Sequence, residues 1–191
     1  MAARTKGAPD PAWKPDPVVS HWAMRQALDQ AAYAARTGQL PFGACVIRGV
    51  ELIGTGHNTV LTDQDVSGHA EINALRAACA KTDEIDLHGC VLYTSCEPCP
   101  MCLTACYWAR VSGIVYAAKA ADATQAGFRQ LPNAPAHLSI LATAGTRLAG
   151  GLMRDEGCRI LTNWSATANW SGHQGAYQND ALRQRDSRTA E

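Results

Sequence analysis

The sequence has no run of apolar residues long enough to cross a bilayer, so we expect no membrane partner. Its first sixteen residues contain three prolines and the basic residues Arg4, Lys6 and Lys14, but no apolar stretch. That composition is not the pattern of a secretory signal. We therefore predict that residues 1–16 form a loosely ordered N-terminal tail.

The sequence also lacks an excess of charge of either sign. Its 17 Lys and Arg residues are balanced by 17 Asp and Glu residues. Proteins that bind nucleic acid usually have a basic face, so the balance argues against a nucleic-acid partner. There is no internal repeat and no clear linker, which predicts one domain at residues 17–164 and a C-terminal tail at 165–191.

Cysteine is well represented, with eight residues in 191. Without an export signal, free thiols in a reducing compartment are a better interpretation than a disulfide framework, and we expect a cytoplasmic protein. Half of these cysteines lie in apolar stretches, where Cys behaves as a small buried hydrophobe: Cys45, Cys79, Cys90 and Cys106.

Apolar periodicity, glycines and prolines predict an alternation of helices and strands along the chain. The segment Asn58–Gly68 is polar and is predicted as a loop. Helices are predicted at Val18–Arg36, Ala70–Lys81, Cys99–Arg110, Ala120–Ala126 and Leu152–Asn163, and strands at Phe42–Arg48, Leu52–Gly56, Cys90–Thr94, Gly113–Ala118 and Thr146–Ala149.

The most informative feature is a pair of motifs, His69-Ala70-Glu71 and, about thirty residues later, Pro98-Cys99-Pro100-Met101-Cys102. One imidazole and two thiolates have the spacing of a zinc site, and one zinc ion per chain is expected. A structural zinc site would use a fourth protein ligand, whereas a hydrolytic site leaves that position to water. His-x-Glu followed by Pro-Cys-x-x-Cys is the signature of zinc deaminases.

The predicted elements bring the three ligands together. His69 begins one helix and the two cysteines begin another, and helices that follow neighbouring strands start at the same sheet edge. Helix N-termini favour thiolate over thiol. Cys99 and Cys102 are three residues apart, so both sulfurs lie on one helix face.

A carboxylate beside the ligands completes the chemistry that hydrolysis needs. Zinc lowers the pKa of bound water from 15.7 to about 7. Glu71 can take the water proton and pass it to the departing amine, so that ammonia leaves. A purely structural site would have no use for Glu71, which we predict to be the catalytic residue.

Several longer segments resemble one known superfamily. They are Leu40-Pro41-Phe42-Gly43-Ala44, His69 to Leu75, Tyr93 to Cys102 continuing to Tyr107-Trp108-Ala109-Arg110, Val115 to Ala118, Asp122-Ala123, and Ala126-Gly127-Phe128. Together they are similar to the cytidine-deaminase-like zinc hydrolases, in particular the bacterial guanine deaminase family. The resemblance implies a three-layer α/β/α sandwich around a five-stranded mixed sheet, a small heterocyclic substrate and a homodimer.

The same resemblance implies a base-binding pocket. Phe42 would stack on the ring, although it could instead be a core residue, and Asn58 would read the ring edge, although it could instead form a turn. The backbone of Ala70 and the carbonyl of Ser95 would face the base and the leaving amine. Trp108 would lie in the pocket or at an interface, with packing of its own helix as the alternative.

One position departs from the family pattern. Guanine deaminases carry an acidic pair after the segment like Gly127-Phe128, and here Arg129 and Gln130 follow. The amide of Gln130 could hydrogen-bond to a substrate, but it cannot carry a proton. Another carboxylate could substitute, Glu71 could act alone, or the substrate could differ. Arg129 would favour a carbonyl-rich or anionic substrate, although it could instead be an exposed residue with no role. The candidate substitutes are Asp122, Asp155, Glu156 and Asp180.

Three functions therefore compete. The leading one is a deaminase of a free base or nucleoside, with a guanine-like purine favoured and a cytosine, isocytosine, pterin or triazine as the alternative. A tRNA adenosine deaminase shares the zinc motifs, and a zinc-stabilised binding module without turnover is the third.

Aromatic residues near the C-terminus, namely Trp164, Trp170, His173 and Tyr177, could form a lid over the pocket or could pack on the surface of the core.

Overall fold

The computed structural model describes residues 16–131, 141, 143–167 and 177–178. Trp170, His173, Asp180 and nearly all of the predicted N-terminal tail lie outside these residues. The strands are β1 (Gly43–Arg48), β2 (Glu51–His57), β3 (Cys90–Cys96), β4 (Gly113–Ala118) and β5 (Arg147–Gly150). The helices are α1 (Pro17–Arg36), α2 (Val60–Asp63), α3 (Ala70–Thr82), α4 (Pro100–Trp108), α5 (Ala120–Gln125) and α6 (Arg154–Thr167).

The five strands form one mixed sheet in the order β2-β1-β3-β4-β5. Strand β1 is antiparallel to both β2 and β3, whereas β3, β4 and β5 run parallel to one another. This confirms the five-stranded mixed sheet expected from the resemblance.

Alternation of side chains along the strands produces two apolar cores. Ala44 and Val46 of β1 pack in the cluster that contains the apolar residues of α3 and α4. Cys45 and Ile47, one residue out of phase, pack with α1, and the partly buried Ile160 of α6 joins that cluster. The sheet is therefore covered by helices on both faces, which confirms the three-layer sandwich. No helix within the described ranges has both the length and the hydropathy that a membrane span requires.

Most predicted elements are confirmed to within about two residues, and the main differences have local causes. The predicted loop Asn58–Gly68 contains the single turn α2. The last helix begins at Arg154 rather than Leu152, because Gly151 and Met153 have φ values of 89° and 55°, which are not helical. It continues to Thr167, so the first three residues of the predicted tail are helical.

Helix α3 packs directly on strand β2 at two glycines. A Cβ on Gly56 would lie 2.4 Å from both the carbonyl oxygen of Ala70 and the backbone nitrogen of Ala74. A Cβ on Gly54 would lie 2.5 Å from the carbonyl oxygen of Ala74. These are backbone atoms that cannot move aside, so only glycine permits this approach. This close approach fixes the position of the first turn of α3, which contains Glu71 and directly follows His69.

A second constraint positions helix α5. Asp122 accepts a hydrogen bond from the backbone N–H of Lys119 at 2.8 Å and two from the guanidinium of Arg154 at 2.8 and 2.6 Å. Arg154 lowers the pKa of Asp122 well below its usual range, mainly through these hydrogen bonds. The pair ties α5 to α6, and the chain after α5 leads directly to Phe128.

Substituting Gly56→Ala tests the close packing of α3. Because the added methyl group meets backbone atoms, we expect the free energy of unfolding to fall by about 2–3 kcal/mol. Chemical denaturation measures this, with Thr55→Ala on the same strand as the control. Equal stability of the two variants would contradict the packing argument.

Substituting Asp122→Asn tests the link between α5 and α6. We expect a loss of about 2 kcal/mol in the free energy of unfolding at pH 7, allowing for partial exposure of Arg154. A carboxyl group with a lowered folded pKa stabilises the fold above its unfolded pKa of about 3.9 and loses this effect as the pH falls. The difference between wild type and variant should therefore shrink below about pH 4. A difference that stayed constant from pH 7 to pH 3 would show that the charge of Asp122 contributes nothing.

Candidate metal centre and active site

The three predicted ligands converge in the structure. Nδ1 of His69 lies 3.7 Å from Sγ of Cys99 and 3.5 Å from Sγ of Cys102, and the two sulfurs are 3.7 Å apart. Their ligand atoms form the one group of three or more His, Cys, Asp or Glu residues, within the described residues, that could hold a metal ion.

Helix starts position two of these ligands. His69 occupies the N-cap of α3 and Cys99 the N-cap of α4, and neither side chain makes a capping hydrogen bond. Both side chains instead turn toward each other across the edge of the sheet. Asn73 holds this arrangement by donating from Nδ2 to the carbonyl oxygen of His57 at 2.9 Å and to Oγ1 of Thr59 at 3.0 Å.

The ligand spacing fits zinc. Zn–S bonds of about 2.3 Å and Zn–N bonds of about 2.0 Å in a tetrahedron place ligand atoms about 3.5–3.8 Å apart. The three distances observed, 3.5, 3.7 and 3.7 Å, lie in that range. Two sulfurs and one nitrogen are also the donor set that zinc prefers. His69, Cys99 and Cys102 can therefore form a zinc site.

The electrostatics of Cys99 favour binding of a cation, whereas contact with Cys99 and burial raise the pKa of Cys102. The pKa of Cys99 is lowered to about 4, mainly by its contact with the Cys102 side chain and further by His69, against the opposing effect of burial. A sulfur that is ionised at neutral pH needs no proton removed before it binds a metal.

Glu71 lies beside the ligands and is buried, with 7% of its surface exposed. Burial, which disfavours the charged form, raises the pKa of this carboxyl group above its ordinary value. The group therefore holds a proton more readily than a carboxyl group in water.

A cavity of about 380 Å³ opens onto Glu71 and two of the ligands. This volume is at the lower end of the range for small-molecule sites. The lining residues are Leu40, Phe42, Asn58, His69, Glu71, Cys96, Glu97, Cys99, Pro100, Met101, Phe128, Arg129, Gln130, Leu131 and Tyr177.

Phe42 and Asn58 lie side by side in this lining. The backbone N–H of Asn58 donates to the carbonyl oxygen of Phe42 at 3.0 Å, which continues the β1–β2 pairing past Gly43 and His57. Oδ1 of Asn58 accepts from the N–H of Val60 at 3.1 Å. The oxygen of Asn58 therefore forms the predicted turn, and because its side chain also lines the cavity, recognition of a ring edge stays a prediction.

The aromatic wall of the cavity comes from distant parts of the chain. Phe128 contacts Phe42 edge-on, with ring centroids 5.3 Å apart, and Trp164 at 5.2 Å. Tyr177 reaches the same wall, since Gln178 pairs with Phe128 and the N–H of Arg129 donates to the carbonyl oxygen of Tyr177 at 2.6 Å. Of the four aromatics considered for a lid, Tyr177 lines the cavity and Trp164 is packed beneath it.

Three predicted pocket residues are not in the described lining of the cavity. Trp108 is 75% exposed at the end of α4, and its role in the pocket or at an interface stays a prediction. Ser95 accepts a hydrogen bond from the N–H of Gly43 at 3.0 Å, and its carbonyl oxygen lies against Gly157 of α6. That carbonyl therefore does not face the cavity. Ala70 is fully buried at the first position of α3, and only its backbone could reach the cavity.

The three candidate replacement acids within the described residues do not line the cavity. Asp122 is bound to Arg154, Glu156 forms an ion pair with Arg25, and Asp155 lies in the first turn of α6. Asp180 is outside the described residues. Glu97 is the second carboxylate in the described part of the lining, and its Oε2 accepts from the N–H of Ala120 at 3.0 Å.

Neither Glu97 nor Tyr177 was predicted to bind substrate, although Tyr177 was a candidate for a lid over the pocket. Glu97 directly precedes the Pro98-Cys99 motif, so its position in the sequence was a usable signal. Tyr177 is brought to the site by contacts with Phe128 and Arg129 that no local pattern indicates.

Comparison with known proteins gives a consistent result. Residues 18–118 match the family described as the cytidine and deoxycytidylate deaminase zinc-binding region. The guanine deaminase of Bacillus subtilis is 50% identical over 88 residues, which are 46% of this chain and 56% of that protein. The match thus spans little more than half the length of that relative.

Two further relatives cover more of the chain. The tRNA-specific adenosine deaminase of Buchnera aphidicola is 32% identical over 145 residues, 76% of this chain and 92% of that protein. A solved structure of guanine deaminase from Nitrosomonas europaea has a TM-score of 0.72 and 32% identity, over 83% of this chain and 90% of that one.

The metal centre can be tested with two matched cysteine variants on helix α4. Wild-type protein is expected to contain one zinc ion per chain by elemental analysis. Cys102→Ala should lose most of this zinc, whereas Cys106→Ala should keep it, because Cys106 is buried four residues further on outside the ligand group. Zinc should raise the melting temperature of wild type and of Cys106→Ala only. Full zinc occupancy in Cys102→Ala would contradict the ligand assignment.

Proposed function

The chain belongs to the cytidine and deoxycytidylate deaminase zinc-binding family, and we propose that it is a hydrolytic deaminase of an aminated purine base, with guanine favoured. The observation that carries this proposal is the position of Glu71. A buried carboxyl group lies beside two sulfurs and an imidazole and opens onto a cavity of base-binding size. A structural metal site has no need of such a group.

His69, Cys99 and Cys102 would hold the zinc ion. Bound zinc supplies a water nucleophile that is usable at neutral pH. The three residues leave the cavity side of the site to solvent and substrate, since no fourth His, Cys, Asp or Glu ligand completes the group in the described chain. An open coordination position of this kind is a property of catalytic sites.

Glu71 would carry the proton in this reaction. Its carboxylate accepts a proton from the attacking water as the oxygen bonds to the ring carbon that bears the amine. It then gives that proton to the amine nitrogen as the carbon–nitrogen bond breaks, and ammonia leaves. Burial raises the pKa of Glu71 above that of an ordinary carboxyl group, which suits a group that must both accept and release a proton.

Asn58 and Phe42 would bind the base. Because Oδ1 of Asn58 already accepts from the Val60 N–H, its Nδ2 protons are directed to an acceptor such as a ring carbonyl. Phe42 offers an aromatic face to a flat heterocycle. Held in this way, the base places its amine toward Glu71 at the buried end of the cavity.

The similarity to two guanine deaminases supports guanine as the favoured base. Arg129 and Gln130, which line the cavity where guanine deaminases carry acids, are the observation that favours a different aminated heterocycle. The alternatives are cytosine, isocytosine, a pterin or a triazine.

A tRNA adenosine deaminase is the second candidate, supported by the Buchnera relative that covers 76% of this chain. The balance of 17 basic and 17 acidic residues disfavours it, since binding to tRNA depends strongly on contacts to phosphates. Deamination of guanine but not of a tRNA anticodon stem-loop would decide between them.

Substituting Glu71→Gln tests the proton carrier directly. The amide cannot accept a proton, so we expect kcat for ammonia release from guanine to fall by a factor of about 10²–10⁴, with zinc content and melting temperature nearly unchanged. Glu84→Gln, an exposed residue outside the cavity, is the control.

Several results of this experiment would count against the proposal. Unchanged kcat in Glu71→Gln would remove Glu71 from the mechanism. Zinc-loaded wild-type protein that releases no ammonia from guanine, the other heterocycles or the tRNA would favour a zinc-stabilised binding module instead.

A further inference from the structure

The mouth of the cavity carries a single guanidinium. Arg129 is the one Lys or Arg side chain among the described residues that line the cavity. It is exposed, and its neighbour Leu131 is 67% exposed, whereas Glu71 at the other end is only 7% exposed. The cavity therefore runs from a carboxyl group in its buried end to a cation at its opening.

The backbone of Arg129 is fixed at this opening. Phe128, the preceding residue, is 1% exposed and pairs with Gln178, and the N–H of Arg129 donates to the carbonyl oxygen of Tyr177. The long side chain thus starts from a well-anchored point on the rim. An anchored backbone reduces the entropy that is lost when the side chain binds a ligand.

Arg129 has no carboxylate partner within 4.0 Å in the described part of the chain. Arg25, Arg48, Arg76, Arg110 and Arg154 each pair with an acid. The other carboxylate of the cavity lining, Glu97, accepts from the N–H of Ala120 at the start of α5. The five N–H donors of the Arg129 guanidinium are then available for acceptors on a ligand.

We propose that Arg129 determines substrate specificity by binding a negatively polarised oxygen on the edge of the substrate that faces the cavity mouth. The proposal rests on the proposed function, in that it concerns the same cavity. The oxygen could come from a ring carbonyl of the base or from the phosphate of a nucleotide. A guanidinium recognises both, because both accept hydrogen bonds from its N–H fork.

Ligands without an exocyclic amine allow this proposal to be tested by binding alone. Hypoxanthine and purine differ in one ring carbonyl, and inosine monophosphate and inosine differ in one phosphate. Isothermal titration calorimetry of zinc-loaded protein gives the Kd of all four. The variants are Arg129→Gln, which keeps length and polarity but removes the charge, and the control Arg159→Gln, an exposed arginine of α6 outside the cavity.

We expect Arg129→Gln to lower the preference for the oxygen-bearing member of at least one pair by about fivefold to tenfold. Arg159→Gln should leave both preferences as in wild type. A change confined to hypoxanthine over purine assigns the contact to a ring carbonyl. A change confined to inosine monophosphate over inosine assigns it to a phosphate, and that preference should also weaken as salt is raised.

The proposal is overturned if Arg129→Gln leaves both preferences unchanged, or changes all four affinities by the same factor. The second result would show a general effect on the cavity. Binding of these ligands needs no turnover, so this result is separate from the test of deamination. Wild-type protein that binds them with an Arg129-dependent preference but releases no ammonia would refute the proposed function and retain the inference.

Discussion

The site depends on the close approach of helix α3 to strand β2. Gly54 and Gly56 leave no room for a side chain between the strand and the backbone of the helix. That contact fixes the first turn of α3, and with it His69 at the N-cap and Glu71 two residues later. Cys99 and Cys102 are positioned separately by α4, the helix that follows β3. Zinc binding therefore needs the starts of α3 and α4 to lie at the same edge of the sheet. The strand order and directions of the mixed sheet place them there.

The rest of the cavity is built by a second set of contacts. Helix α5 is held by Asp122 and Arg154 and leads into Phe128, which packs between Phe42 and Trp164. Tyr177 and Gln178 complete this wall from the far end of the chain. The metal-ligand end of the cavity is thus built from the starts of two helices, whereas the mouth is assembled from segments distant in sequence.

Sequence reasoning succeeded where the determinant is local. Apolar periodicity predicted the helices and strands, and the family resemblance implied their three layers. The spacing of His69, Cys99 and Cys102 predicted the metal centre, because the ligands of one ion come from short sequence motifs. The family resemblance did not indicate that Ser95 and Trp108 lie outside the described lining of the cavity, because the direction in which an element presents its atoms depends on its neighbours. Sequence reasoning offered Tyr177 only as one of four lid candidates, because this residue is placed by contacts between Phe128–Arg129 and residues 177–178 that no local pattern indicates. Roles of the individual pocket residues stay predictions.

The central claim is that three protein ligands hold zinc and leave one position open beside Glu71. X-ray absorption spectroscopy of the zinc-loaded protein tests this most directly. The account predicts two sulfur ligands at about 2.3 Å and two lighter ligands at about 2.0 Å, one from His69 and one from solvent that an added inhibitor can replace. A spectrum with three or four sulfurs, or with no exchangeable ligand, would contradict it.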